Sequence, residues 1–437
     1  MSVSSEDQRL ALIAARIWDG ASESVLADHA VIISNGRIEE VLPVKEIPAG
    51  MARREFPDCT LLPGLIDSHV HYAESNGPAY LAAGVTTVRD LGNNLDFILD
   101  QKGKNQHDLS RGPRILCCGF ALDGMEGIWQ HITKRHPDEA SLRASIHEHA
   151  TRGVDAIKLY ASIDEPMLRA GVEEAHSHGL MVLSHLNSTS AEEAAAAGLD
   201  EIQHFSRCDV AWREATATED DVLIDQFLTH GTAMNPTINV WDRLGHAMEH
   251  AFLHDARRAW LHPHLLALWD QFPYRRCEAA KRLRFQALMP FLKRFLVRCH
   301  ERGVVIGAGT DSPFINLLPG FGLHDELAQY VDAGLRPVDA LRAATSTNAR
   351  LIGLESRIGR IQSGMDADLV VFGGNPLERI DDLAQVEAVF RQGTEINVRD
   401  LLKSAQNYFS KPMSDPIIRD IEQYVSGELP TYSQKNE

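Results

Sequence analysis

The sequence predicts an α/β fold: a closed (β/α)8 TIM barrel with strand-forming segments at both chain ends. Apolar, β-rich runs alternate with Ala- and Glu-rich helical stretches, the pattern of parallel strands joined by crossover helices. Eight such runs are legible, at 61–69, 85–91, 114–120, 155–160, 181–185, 201–204, 232–237 and 304–310. Helical patterns such as 165–178 and 191–198 separate them, and eight parallel strands with intervening helices close into a barrel.

The first run leads into Pro63-Gly64-Leu65-Ile66-Asp67-Ser68-His69-Val70-His71. Residues two apart on an extended strand point the same way, so both imidazoles can reach one metal ion. The same spacing recurs in His147-Glu148-His149 and His176-Ser177-His178, but those stretches are helix-like and two-apart side chains diverge there. The fourth run carries Lys158, the fifth ends in His185, the sixth in Ile-Gln-His204, and the eighth in Gly-Thr-Asp311. Barrel enzymes assemble their chemistry at the C-terminal ends of the strands, so His69, His71, Lys158, His185, His204 and Asp311 converge on one rim as potential metal ligands. Taken singly, a strand-end histidine is an ordinary hydrogen-bonded residue and an Asp after Gly-Thr an ordinary turn or cap. Lys158 is different, because an ammonium inside an apolar strand must be neutralised, paired or chemically altered.

Composition narrows the class. The chain has 437 residues, 44% hydrophobic and 24% charged, a globular profile long enough for one large barrel and a smaller unit. Its net charge of -18 disfavours nucleic acid and anionic lipid, which bind clustered Lys and Arg. The cysteines Cys59, Cys117, Cys118, Cys208, Cys277 and Cys299 form no C-x-x-C pair, which fits a reducing cytoplasm. No export signal and no run of about 18 apolar residues is seen, so neither export nor membrane insertion is expected.

Together, Leu-Pro-Gly-Leu-Ile-Asp-Ser-His-Val-His (62–71), Gly-Val-Thr-Thr-Val-Arg-Asp (84–90), Ile-Lys (157–158), His185, Ile-Gln-His (202–204) and Gly-Thr-Asp-Ser (309–312) resemble the amidohydrolase superfamily of metal-dependent hydrolases. Gly322-Leu-His-Asp-Glu-Leu and the stretch 359–372 extend the resemblance over nearly the whole chain. It implies a binuclear site in which His69, His71 and Asp311 hold the more buried ion, His185 and His204 the more exposed one, and a carboxylated Lys158 bridges them. Zinc is the default for such a donor set, with manganese, cobalt, nickel or iron as alternatives. Mononuclear deaminase members show His-x-x-Glu where this chain has His185-Leu-Asn-Ser and His204-Phe-Ser-Arg, which disfavours deamination. The spacing of Lys158, His185 and His204 looks most like the prolidase-like subgroup of dipeptidases and N-acyl amino acid hydrolases. The loop Leu122-Asp-Gly-Met-Glu-Gly-Ile-Trp-Gln-His131 departs from the Gly-Gly-His-Gly-like loop common there.

The implied activity is cleavage of a C–N amide bond, in an N-acyl amino acid or dipeptide, by a hydroxide shared between two ions. Asp311 is assigned the proton transfer from nucleophile to leaving group. Aryl-urea or carbamate hydrolysis and lactone or ester hydrolysis are alternatives on the same site, and a catalytically silent scaffold is the non-enzyme alternative. Tyr160 is a candidate donor to the oxyanion and His324 a candidate substrate contact, each set against a structural role. Asp90 is read as orienting a ligand or as a partner of Arg89.

The resemblance also implies that the strand-forming segments 10–56 and 367–372 build one small β-sandwich beside the barrel. The expected division is therefore 1–58 and 357–410 for the sandwich and 59–356 for the barrel, with 411–437 as a polar tail that is loose or docks on a neighbouring subunit. The stretch 240–302 reads as a helical cap over the site, with some of Trp241, Trp260, Trp269 and Phe272 lining an apolar pocket, or as a subunit-packing surface. His246, His250 and His254 on it read as a solvated helix face. A small-molecule substrate and a homo-oligomer are expected.

Overall fold

The computed structural model describes residues 9–276 and 278–429; Cys277 and the two ends, 1–8 and 430–437, lie outside the described residues. The chain opens with β1 (Leu10–Ile17), β2 (His29–Ser34), β3 (Arg37–Pro43) and β4 (Ala52–Pro63). Next, β5 (Leu65–Val70), β6 (Val85–Asp90) and β7 (Arg114–Cys117) form a three-stranded parallel sheet. A second parallel sheet holds β8 (Ala121–Asp123), β9 (Thr133–Arg135), β10 (Ala156–Leu159), β11 (Met181–Ser184), β12 (Glu201–Gln203) and β13 (Ala233–Asn235), in the order β13-β12-β11-β10-β8-β9. Near the C-terminus β14 (Leu369–Gly373), β15 (Val386–Arg391) and β16 (Thr394–Ile396) join the first four strands in one seven-stranded sheet, β16-β15-β14-β4-β1-β2-β3.

Both chain ends thus meet in a single sheet, and its residues alternate between two apolar layers. Leu12, Ala14, Val31 and Ile33 pack in one cluster, while Ala11, Ala30 and Ile32 pack in the other. The parallel strands follow a different rule. Every residue of β5, β6 and β10 is buried, as in parallel strands with both faces covered.

Three of the expected runs are altered. The first is cut at Gly64, where a Cβ would stand 2.1 Å from Thr86 Oγ1, so β4 stays in the seven-stranded sheet and β5 starts the parallel one. The third ends at Cys117; the chain turns through Gly119 at φ 70° and resumes as β8, which pairs with both β9 and β10. The eighth, 304–310, is not a strand. It makes one isolated parallel bridge, Met234 with Ile306, and accepts Ser68 N–H at the Ala308 carbonyl at 3.0 Å; Ser312 just beyond it makes a second, with Val70. Gly307 and Gly309 explain this: a Cβ on Gly309 would lie 2.6 Å from His69 Cβ, so the segment packs by close backbone approach, and glycine weakens a strand.

The stretch 240–302 is helical, with helices Ile238–Gly245, Pro263–Arg276 and Ala279–Arg302. The tail is ordered further than its polarity suggests, with a helix Pro416–Ser426 that buries Ile417, Ile418, Ile421 and Val425. Polar and apolar positions alternate at helical spacing there, so one stripe is buried against the chain itself. No helix among the described residues is long and apolar enough to cross a membrane.

Candidate metal centre and active site

His69 and His71 stand at the end of β5 and Asp311 follows the segment bridged to it. His69 Nε2 and His71 Nε2 each lie 3.2 Å from Asp311 Oδ1, and these three side chains are grouped closely enough to hold one metal ion. The other strand-end residues gather around them. The His69 and His204 rings are 4.7 Å apart, as are those of His204 and His185. His185, His204 and Lys158 fall outside the tight three-residue group, yet His185, His204, His71 and Asp311 line one cavity.

Each imidazole is oriented from behind. His69 Nδ1 lies 2.8 Å from the Gln203 side-chain oxygen, whose amide nitrogen donates to Glu201 at 2.7 Å. His71 Nδ1 donates to the Gly92 carbonyl at 2.9 Å. His204 Nδ1 lies 2.5 Å from Thr237 Oγ1, and that hydroxyl donates to the Pro236 carbonyl. With acceptors behind them, all three rings carry the proton on Nδ1 and present the lone pair of Nε2. Two such lone pairs converging on a carboxylate oxygen repel unless a cation sits among them, so the donor set fits a divalent metal.

The electrostatics agree for His69, His185 and His204. Burial, assisted by the charge of Lys158, pushes His69 and His185 down to about 3 and holds His204 well below its usual value. Burial also opposes a charge on His71, but its contact with Asp311 outweighs that and raises it. Burial works against Asp311 as an anion, and His69 and His71 reverse this to hold it well below the usual carboxylate range.

Lys158 is completely buried on β10, and its Nζ has no hydrogen-bond partner. Burial lowers its amine to about 7, with Asp311 partly opposing the fall. An unpartnered amine beside a ring of metal-ligand types fits the modified ligand that the resemblance implies, because carboxylation replaces a desolvated cation with an anionic oxygen donor.

Tyr160 follows Lys158 at the rim. Its hydroxyl accepts from Trp129 Nε1 at 3.1 Å and its ring centroid lies 5.0 Å from that of His185. His324 is placed elsewhere. Its Nε2 donates to the Ala83 carbonyl at 2.8 Å, its ring packs on Phe321 and Phe372, and it does not line the cavity. Asp90 accepts from Tyr72 N–H, Gly92 N–H and the Asn93 amide, which shapes the loop after β6 and so the Gly92 carbonyl behind His71. Arg89 pairs instead with Glu201 at 2.5 Å, both fully buried. His147 and His178, from the two helical pairs set aside above, meet Glu174 on the surface in a second grouping of metal-ligand types.

The cavity encloses about 170 Å3. From the stretch 240–302, Trp241, Phe272, Lys281 and Phe285 line it, whereas Trp269 is buried behind with its indole donating to the Pro313 carbonyl and Trp260 packs on Phe321. Trp129, Lys281 and Tyr424 line it too; of these, Trp129 lies in the departing loop 122–131, and the other two carry no motif.

Residues 60–396 match the model of the amidohydrolase family, and 10–57 match the NagA composite domain. No curated protein matches. Among solved structures, a putative prolidase from Bifidobacterium longum is 25% identical with a TM-score of 0.73, covering 91% of this chain and 99% of that one. A bottromycin amidohydrolase is 22% identical with a TM-score of 0.73, covering 92% and 91%. A Xaa-Pro dipeptidase with bound methionine is 20% identical with a TM-score of 0.69, covering 89% and 100%. The family model spans most of the sequence, including every candidate metal ligand, so the chain belongs to the amidohydrolase family and is a metal-dependent hydrolase.

Proposed function

We propose that this enzyme cleaves a C–N amide bond in an N-acyl amino acid or a dipeptide, at a binuclear centre. We read the two parallel sheets as one barrel. Asp155 N–H donates to the Cys117 carbonyl at 2.8 Å on one side, and the bridges of Ile306 and Ser312 join β13 to β5 on the other. The seven-stranded sheet then serves as the small sandwich beside it, built from 1–58 and 357–410 around the barrel at 59–356.

His69, His71 and Asp311 would hold one ion, His185 and His204 the other, and Lys158 would link them as a carbamate. Its formation is balanced: the neutral amine adds to carbon dioxide, a C–N bond forms, and one proton is released. The observation that carries the reading is the buried, unpartnered Lys158 Nζ among these side chains. Zinc is the expected metal. Divalent cations bound there supply Lewis acidity, polarising the scissile carbonyl and easing loss of a proton from water.

The remaining chemistry falls to the chain. Asp311 takes the proton from the attacking water and gives it to the departing amine nitrogen. Tyr160, whose hydroxyl is pushed well above its usual pKa by burial, stays protonated and donates to the oxygen that gains negative charge. Trp129 orients that hydroxyl through its indole N–H. Among the described lining residues Lys281 is the one Lys or Arg, and its ammonium suits the free carboxylate that N-acyl amino acids and dipeptides share.

The prolidase and dipeptidase neighbours support the amide reading. A hydrolysis screen of the metal-loaded protein against N-acyl amino acids, dipeptides, lactones and phenylureas tests it. Turnover of the amides is expected, and activity confined to lactones would overturn the assignment. Carbon-13 NMR after labelled bicarbonate should show a carbamate resonance that Lys158→Met abolishes.

A further inference from the structure

The helix Pro416–Ser426 lies far along the chain from the metal-ligand set, yet Ile417 and Tyr424 line the same cavity as His71, His185 and Asp311. The Tyr424 ring stands 5.3 Å from Trp129, 6.0 Å from Phe272 and 6.0 Å from Phe314. Those rings come from separate segments: the loop after β8, the helical stretch 240–302 and the turn after Asp311. We propose that the C-terminal helix is the selective wall of the substrate cavity, with Tyr424 and Ile417 closing a subsite for a flat apolar substituent and Asp420 holding that wall in place. The proposal rests on the cavity being the substrate site.

Chemistry of the lining favours such a group. The aromatic rings meet at varied angles, 24° between Phe272 and Tyr424, 47° between Trp129 and Tyr424 and 84° between Trp129 and Phe314. Ile128, Ile132 and Ile417 fill the spaces beside them. Rings set at such angles offer both faces and edges to an aromatic guest. The part of the cavity lined by Ile128, Trp129, Ile132, Phe314, Ile417 and Tyr424 is apolar, and such a wall selects by shape and by removal of apolar surface from water.

Asp420 is the positioning residue. Its side chain is 0% exposed, and it accepts the backbone N–H groups of Gln130, His131 and Ile132 as well as His131 Nδ1. A buried carboxylate is tolerated only with its lone pairs filled, so Asp420 is satisfied when helix and loop are docked together. At the helix N-terminus Asp415 makes a second tie, accepting Glu74 N–H at 2.8 Å just after β5. The loop held by Asp420 carries Trp129, whose indole donates to Tyr160. Helix, loop and Tyr160 are therefore one connected unit.

The test uses the full chain, metal-loaded, with kcat and KM measured for N-benzoyl and N-naphthoyl amino acids against their N-acetyl counterparts. Wild type should prefer the aromatic members by tenfold or more in kcat/KM. Tyr424→Ala, or Tyr424→Leu if the first variant fails to fold, should erase most of that preference through KM with kcat little changed. Asp420→Asn should raise KM for the aromatic members in the same direction. A wild type indifferent to the aromatic group, or a Tyr424 variant that slows all members equally, would overturn the proposal. A turnover-free readout separates it from the amide assignment: quenching of tryptophan fluorescence by 2-naphthamide in Asp311→Asn protein. If no amide is hydrolysed but 2-naphthamide binds and Tyr424→Ala abolishes binding, the subsite stands and the amide assignment falls. Equal binding with and without Tyr424→Ala removes the subsite, whatever the turnover.

Discussion

The Gln203 side-chain oxygen accepts from His69 Nδ1 at 2.8 Å, and this contact sets which nitrogen of His69 faces Asp311. Gln203 cannot turn over, because its amide donates to Glu201, which in turn pairs with Arg89. Gln203→Leu should keep the fold and weaken metal binding about 10–100-fold, as loss of such supporting partners does elsewhere. Metal titration followed by calorimetry measures it. Affinity equal to wild type would show that His69 needs no such support.

Lys158→Met removes a buried amine without opening a cavity. The melting temperature of metal-free protein should hold or rise, since the side chain no longer carries a desolvated ammonium. Metal content after dialysis should drop. A variant that melts several degrees lower yet retains its metal would contradict the ligand assignment.

Asp311→Asn keeps a ligand oxygen but loses the proton acceptor. Part of the metal should remain and turnover should fall by about 10²–10⁴-fold, the usual contribution of a positioned acid–base group. Near-wild-type kcat in a metal-replete variant would reject the proton-transfer role.

Lys281→Met should raise KM for N-acyl amino acids about tenfold or more, the size of one charge-assisted hydrogen bond of about 1.5–3 kcal/mol. The matching amino acid amides lack the carboxylate and should be affected much less. Equal effects on both series would remove Lys281 from carboxylate recognition.

Glu326 lies apart from the metal ligands and supplies a pH dependence. Its carboxyl accepts Ile238 N–H and Asn239 N–H at 2.8 Å each, and burial raises it from 4.5 to about 8. Between those values the folded chain holds a proton that the unfolded chain has released. Stability contributed by this group therefore declines as pH rises from about 4.5 to 8, by at most about 1.4 kcal/mol per pH unit. Glu326→Gln should lose this decline, so its stability relative to wild type should climb between pH 5 and 8 in urea unfolding. Parallel curves for the two proteins would exclude a raised Glu326.

Local pattern was enough to read the parallel α/β character, the strand-rich ends, and the candidate ligand types at 69, 71, 158, 185, 204 and 311. Those features follow from apolar periodicity and from the cost of burying ligand-type side chains, both written in neighbouring residues. Other features needed the folded chain. The 304–310 run looks like a strand, yet its glycines let backbone press against His69 and leave it with one isolated bridge. His324 carries a family signature but turns to Ala83, away from the cavity. Tyr424 and Asp420 sit in a polar tail with no motif, and they reach the site because a buried carboxylate finds N–H donors on the loop at 130–132. Such pairings depend on shape and hydrogen-bond satisfaction between segments hundreds of residues apart, which no local window of sequence contains.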